Sequence, residues 1–130
     1  MKILFIILFF TINYSFAQYS ASDLHNNSSK KWEISEFKIN DIRSEDEEGT
    51  CIYEIEFTFY NTGKFKKSAP CYSSDIWGTY KLLGSQLIIN TDTFNISELS
   101  THVLKTNRTS VVNIGDKQQT IKTETIFNAK

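Results

Sequence analysis

Gly78-Thr79-Tyr80-Lys81-Leu82-Leu83-Gly84-Ser85-Gln86-Leu87-Ile88-Ile89-Asn90-Thr91 reads as a β-hairpin that carries its own register. Gly84-Ser85 fits the two central positions of a type II′ turn, the first of which needs positive φ. With Leu83 opposite Gln86, Leu82 faces Leu87, Tyr80 faces Ile89 and Gly78 faces Thr91. One side of the ribbon then carries Gly78, Tyr80, Leu82, Leu87 and Ile89. The other carries Thr79, Lys81, Gln86 and Asn90, with Trp77 and Ile88 as apolar exceptions. A slip of one residue would invert every side chain, so this turn sorts two strands into an inner and an outer face.

The same logic extends upstream. Cys51, Tyr53, Ile55, Phe57 and Phe59 alternate with Glu54, Glu56 and Thr58, which predicts a strand over 51–59 with one apolar face. Asn61-Thr62-Gly63 fits a hairpin loop with Gly63 in the left-handed position, setting Phe59 beside Phe65. Downstream, Ile114-Gly115-Asp116-Lys117 repeats the Gly-X turn signal, and further strands are expected over 31–40, 94–98, 102–107, 110–114 and 117–127. In the first of these, Trp32 and Ile34 share a parity that Phe37 and Ile39 do not, which a bulge near Ser35-Glu36 would reconcile. About eight short strands joined by tight turns predict an all-β fold, an antiparallel up-and-down β-barrel, with a β-sandwich as the alternative.

Composition supports that class and narrows the function. Ten Phe and six Tyr accompany abundant Thr and Ile, residue types that suit a pleated, half-buried surface. Fourteen Lys and Arg stand against fifteen Asp and Glu, so there is no net positive charge to favour nucleic acid or an anionic membrane. Residues 1–17, MKILFIILFFTINYSFA, have a positive start, an apolar run and small residues at the two positions a signal peptidase reads. That segment predicts export to the periplasm or beyond, with no stable membrane anchor after cleavage, because the run falls short of the roughly 20 residues a span needs. Residues 18–29 are polar and aperiodic and are expected to form a disordered leader. One domain is expected over 30–130. Asn26, Asn27, Asn95 and Asn107 begin N-x-S/T triplets, which carry meaning only in a eukaryotic secretory pathway.

Trp32, then a cysteine, then Phe59-Tyr60-Asn61-Thr62-Gly63-Lys64-Phe65, a second cysteine, Gly78-Thr79-Tyr80-Lys81-Leu82 and Ile96-Ser97-Glu98-Leu99 follow one another in order. This order resembles the bacterial lipocalin-like domain family, whose pattern runs G-x-W, Cys, F-x-x-x-G-x-[FY], Cys, G-x-[WY]-x-L and I-x-x-L. Lys30 stands where the pattern has its first glycine, and Tyr80 where a second tryptophan is commoner. The resemblance spans roughly residues 30–107. It implies a small exported lipocalin-like barrel and no particular ligand or reaction.

Cys51 and Cys71 are the only cysteines, and export favours joining them. Across the Asn61–Gly63 hairpin they fall nearly opposite, and an irregularity at Pro70 would bring the sulfurs together. His25 and His102 lack partners at metal-ligand spacing. The acidic run Glu45-Asp46-Glu47-Glu48 suits calcium in charge but lacks the alternating ligands of a calcium loop, and reads as a solvated connection. No nucleophile motif, phosphate loop or dinucleotide fingerprint occurs, so neither catalysis nor a cofactor is expected. Tyr53, Ile55, Phe57 and Tyr80 are the candidate lining of a barrel interior that either holds a small apolar or amphipathic molecule or is filled by its own side chains. The filled case would make the protein an interaction module working through its outer surface, where Trp77 and Ile88 stand.

Overall fold

Left-handed backbone positions set the ends of the strands. In a computed structural model describing residues 19–45 and 50–130, Gly63, Gly84 and Gly115 have φ of 83°, 57° and 61°. The strands they join pair as expected: Phe59 with Phe65, Tyr80 with Ile89 and Leu83 with Gln86, and Ile114 with Lys117. One further hairpin turns on Asn40 and Asp41, at φ 50° and 66°, the pair of positive values a type I′ turn requires. The predicted export segment 1–17 and most of the acidic run, 46–49, lie outside the described residues.

Nine strands result among the described residues: β1 (Ser29–Ile39), β2 (Ile42–Arg43), β3 (Glu56–Tyr60), β4 (Lys64–Ser68), β5 (Ile76–Leu83), β6 (Gln86–Ile89), β7 (Asp92–Leu99), β8 (Val103–Ile114) and β9 (Lys117–Ala129). From β3 to β9 each pairs antiparallel with the next, and β1 pairs with both β3 and β9. The sheet therefore closes as an eight-stranded antiparallel barrel, with β2 added beside β1. Closure excludes the sandwich and removes the exposed edges of an open sheet.

Two bulges let the barrel turn inward. The β1–β9 register shifts between Ile34 and Glu36, where the change of parity places it, and the β7–β8 register shifts between Ile96 and Glu98. At each the extra residue is a serine, and its hydroxyl donates to a carbonyl of the opposite strand. Ser35 Oγ reaches Ile126 O at 3.1 Å, and Ser97 Oγ reaches Lys105 O at 3.4 Å. The unpaired residue thus recovers a hydrogen bond that the interrupted ladder loses.

Three expectations need correction. The strand expected over 51–59 begins only at Glu56, because Cys51 takes a left-handed conformation (φ 40°) and Ile52–Glu54 form a 3₁₀ turn. The separate strands expected over 102–107 and 110–114 are one continuous β8. The leader over 18–29 is not structureless in its described part: Ala21–His25 form a short helix, α1. Its Leu24 is fully buried in the core. Polar composition hides Leu24, which pins it.

α1 closes one end of the barrel. Leu24 O accepts a hydrogen bond from the buried Trp32 Nε1 at 2.9 Å. Lys30 Nζ donates to Asp23 O at 2.9 Å and to Thr101 O at 2.7 Å, while lying 4.5 Å from the Trp32 ring centroid. Lys30 therefore ties the helix to the β7–β8 turn across the indole. Above this floor Phe59, Phe65 and Tyr80 pack, with Phe59 and Tyr80 edge to face at 4.9 Å. Tyr80 and Leu87 are buried, Leu82 and Ile89 are half-buried, and Lys81, Gln86 and Asn90 face solvent, as the turn register requires.

Gly78 sits directly opposite Phe65, whose ring lies over it. A Cβ at Gly78 would come within 2.5 Å of the Phe65 ring and closer still to Asn90 Oδ1. Gly78→Ala is therefore expected to destabilise by about 1–3 kcal/mol through overpacking, read as a lower urea midpoint with an unchanged slope.

The barrel seam carries an ion pair of β3 with the last residue. Glu56 Oε2 accepts from Lys130 Nζ at 2.8 Å, and Glu56 Oε1 lies 3.8 Å from Lys31 Nζ. The Lys130 hydrogen bond, helped by the Lys130, Lys31 and Lys66 charges and opposed by burial, holds the Glu56 carboxyl below its ordinary value. A depressed carboxylate contributes stability above its unfolded pKa of about 4.3 and loses it as pH falls through the lower folded value. Glu56→Gln should thus cost under about 1 kcal/mol at neutral pH, the scale of an exposed pair. The gap from the unmodified protein in urea unfolding should shrink below about pH 4.

Candidate functional site

Among the described residues, the end opposite α1 is open, and the strands that frame it differ greatly in length. β3 and β4 stop early, at Glu56 and Ser68, while β8 and β9 run on together to the Gly115 turn. On the short side the chain before β3 folds in as the 3₁₀ turn. It is held there by the disulfide between Cys51 and Cys71, whose Cα atoms are 6.1 Å apart. Cys71 lies in the turn after β4, where Tyr72 N donates to Ala69 O at 3.1 Å around Pro70. This bond is compatible with an oxidising compartment. No helix among the described residues is long and apolar enough to cross a membrane.

Inside this mouth lies a cavity of about 240 Å³. Phe57, Leu87 and Phe127 line it, with Phe57 and Phe127 meeting edge to face at 5.6 Å. Ile34, Phe37, Ile52, Ile55, Ile89 and Phe94 complete the apolar lining. Polar atoms come from three side chains. Thr106 and Thr125 face each other across β8 and β9, and Lys67 stands at the rim. The interior is therefore divided, packed solid over α1 and hollow beneath the mouth.

The predicted lining residues part company at this division. Ile55 and Phe57 line the cavity. Tyr80 does not: it belongs to the packed half, where its hydroxyl donates to Tyr60 O at 2.5 Å and burial pushes its pKa up. Tyr53 is outside the strand wall, because the 3₁₀ turn breaks the alternation that would aim it inward. Its hydroxyl donates to the Ser44 carbonyl, and the Arg43 guanidinium lies 4.2 Å from its ring centroid. Ile52 takes the inward place instead.

Other lining residues are within reach of the same parity argument. Phe37 follows from the bulge, Leu87 and Ile89 from the Gly84 turn, and Thr125 with Phe127 from alternation along β9. Lys67 follows from Phe65, two residues earlier on β4. By charge alone it belongs with Lys64 and Lys66 in a basic surface stretch. The pleat separates them, leaving Lys67 on the inner face.

The remaining candidates stay apart. His25 ends α1, where its Nδ1 accepts from Asn27 N at 3.2 Å, and His102 is exposed in the β7–β8 turn. Among the described residues no three His, Cys, Asp or Glu side chains gather in a way that would hold a metal. Trp77 is 58% exposed, stacked on Tyr60 at 5.8 Å on the outer wall. Comparison with protein-family models, with curated proteins and with solved structures finds no match.

The disulfide holds the 3₁₀ segment of the cavity wall in place. Cys51→Ala should destabilise by about 2–5 kcal/mol, the range for a native bond in a small secreted domain. Urea unfolding of oxidised protein and variant measures it.

Proposed function

We propose that this chain is an exported lipocalin-like binding protein, without catalytic activity, that takes one small apolar or amphipathic molecule into the mouth half of its barrel. The observation that carries this reading is the cavity of about 240 Å³ lined almost wholly by carbon. A packed barrel of this strand number leaves little such space unless it is used. The size sits just below the usual range of small-molecule sites, about 300–1,000 Å³. That excludes bulky polycyclic ligands and favours a short chain or a single ring. At about 30 Å³ per water-sized group, the space takes roughly eight such groups. Burying roughly eight methylenes at about 0.8 kcal/mol each gives about 6 kcal/mol, an affinity of tens of micromolar.

A second reading rests on the outer face, where Trp77 on β5 and Val111 on the β8–β9 extension are exposed. These residues favour a protein partner docking on the barrel's outside.

A neutral fluorophore such as phenylnaphthylamine separates the two. The binding reading expects saturable fluorescence enhancement with a Kd of about 1–50 µM. Ile89→Phe, which adds a ring within the cavity, should weaken it by about tenfold or more. Trp77→Ala, on the outside, should leave it within about twofold. A larger effect from Trp77→Ala than from Ile89→Phe would transfer the function to the outer surface.

A further inference from the structure

Among the described residues, Lys67 is the one cation that lines the cavity. Its alternation with Phe65 turns it inward at the point where β4 ends, so its ammonium reaches the rim of an apolar chamber. There Lys67 Nζ lies 5.6 Å from the Phe57 ring centroid and 5.7 Å from that of Tyr72. Ring faces attract a cation but do not neutralise it. Among the described residues no carboxylate lies within ion-pair distance of Lys67. The rim acid in the same opening, Asp92, is engaged elsewhere. It pairs with Arg108 at 3.3 Å, and that guanidinium also lies 5.5 Å from the Phe94 ring centroid. The described rim thus holds one satisfied cation and one without a counter-charge. Lys67 is half-buried, its stem packed on the apolar wall and its ammonium at the rim, where an anion seated in the cavity would meet it.

We propose that the cavity binds a monoanionic amphiphile, a short-chain carboxylate of roughly eight carbons, with its carboxylate paired to Lys67 and its chain lying against Phe57, Leu87 and Phe127. This inference rests on the binding reading above and adds the chemical class of the ligand. The chain length follows from the cavity volume, and the charge from Lys67. Thr106 and Thr125, on the far wall, offer neutral hydroxyls, which hold a carboxylate less strongly than an ammonium does. Arg108, already held by Asp92, contributes field rather than a direct bond.

The test is isothermal titration of the full oxidised chain with octanoate, 1-octanol and octylammonium, on the unmodified protein and on Lys67→Met and Lys67→Arg. Octanoate should bind at least about tenfold more tightly than octanol, the scale of one charge-assisted hydrogen bond. Octylammonium should bind more weakly than either. Lys67→Met should abolish the preference for octanoate over octanol, read as the ratio of the two affinities on the same variant. Lys67→Arg should retain most of the preference, and added salt should reduce it. If Lys67→Met fails to fold, judged by near-ultraviolet circular dichroism, Lys67→Gln takes its place. Equal binding of octanoate and octanol by the unmodified protein would overturn the anion inference and leave the binding reading intact. Survival of the preference in Lys67→Met would overturn it in the same way. Binding of none of the three, with the fluorophore also excluded, would overturn both.

Discussion

The barrel exists because one strand serves two neighbours. β1 gives Ser29 to Glu33 to β3 and Trp32 to Ile39 to β9, so Trp32 is paired on both sides, with Phe57 and with Ala129. A strand that runs from one partner to the other must bend, and the extra residue Ser35 supplies the bend. It also changes the parity. Without it, Trp32 and Ile34 would face inward and Phe37 outward, leaving the mouth without one apolar wall. With it, all three serve the interior, and the ladder continues to the Asn40 turn. Closure, curvature and the lining of the cavity therefore share one local cause.

That cause also accounts for the division of the interior. Near the closed end the inward positions are occupied by Trp32, Phe59, Phe65 and Tyr80, large rings that fill the space over Leu24. Gly78 leaves room for Phe65 and completes the packing. Toward the mouth the inward positions of β8 and β9 hold Thr106 and Thr125, smaller side chains facing the rings of Phe57 and Phe127. Small residues opposite large ones would interlock in a sandwich of two sheets. Across a closed barrel with one end uncovered, they leave the volume empty. Lys30 reinforces the asymmetry by fastening α1 across one end only.

Much of this is legible in the sequence, and the limits have physical reasons. Three glycine turns determine the register of six strands, because a side-chain period of two leaves no intermediate answer. The bulge at Ser35 shows as a change of parity between Ile34 and Phe37. Its counterpart at Ser97 is equally visible, since Ile96 and Leu99 are both apolar at a spacing that a plain strand cannot put on one face. The 3₁₀ turn at Ile52 is not legible, because alternation from Cys51 to Phe59 is unbroken on paper. Only the left-handed Cys51, constrained by the disulfide, interrupts it, and Tyr53 leaves the expected lining as a result. Leu24 escapes notice because an isolated leucine in a polar segment has no period. Lys67 misleads because charge suggests surface, while the pleat alone decides the face.

The rim is uneven because the strands that form it differ in length. β3 and β4 each have five residues, whereas β8 and β9 have twelve and thirteen. Beyond Asn107 and Thr123, the last residues paired with β7 and β1, the β8–β9 hairpin continues as a free ribbon. At about 3.3 Å per residue its length along the strands is roughly 20 Å. The described mouth is therefore high along β8 and β9 and low along β3 and β4. The low rim is where the disulfide holds Ile52 inward and where Lys67 stands between Phe57 and Tyr72. Strand length thus sets the uneven height of the mouth, and the pleat of β4 places a cation at its low side. An amphiphile of the proposed kind, its chain against Phe57 and Phe127, would have its polar group beside Lys67, the lysine that the pleat turns inward.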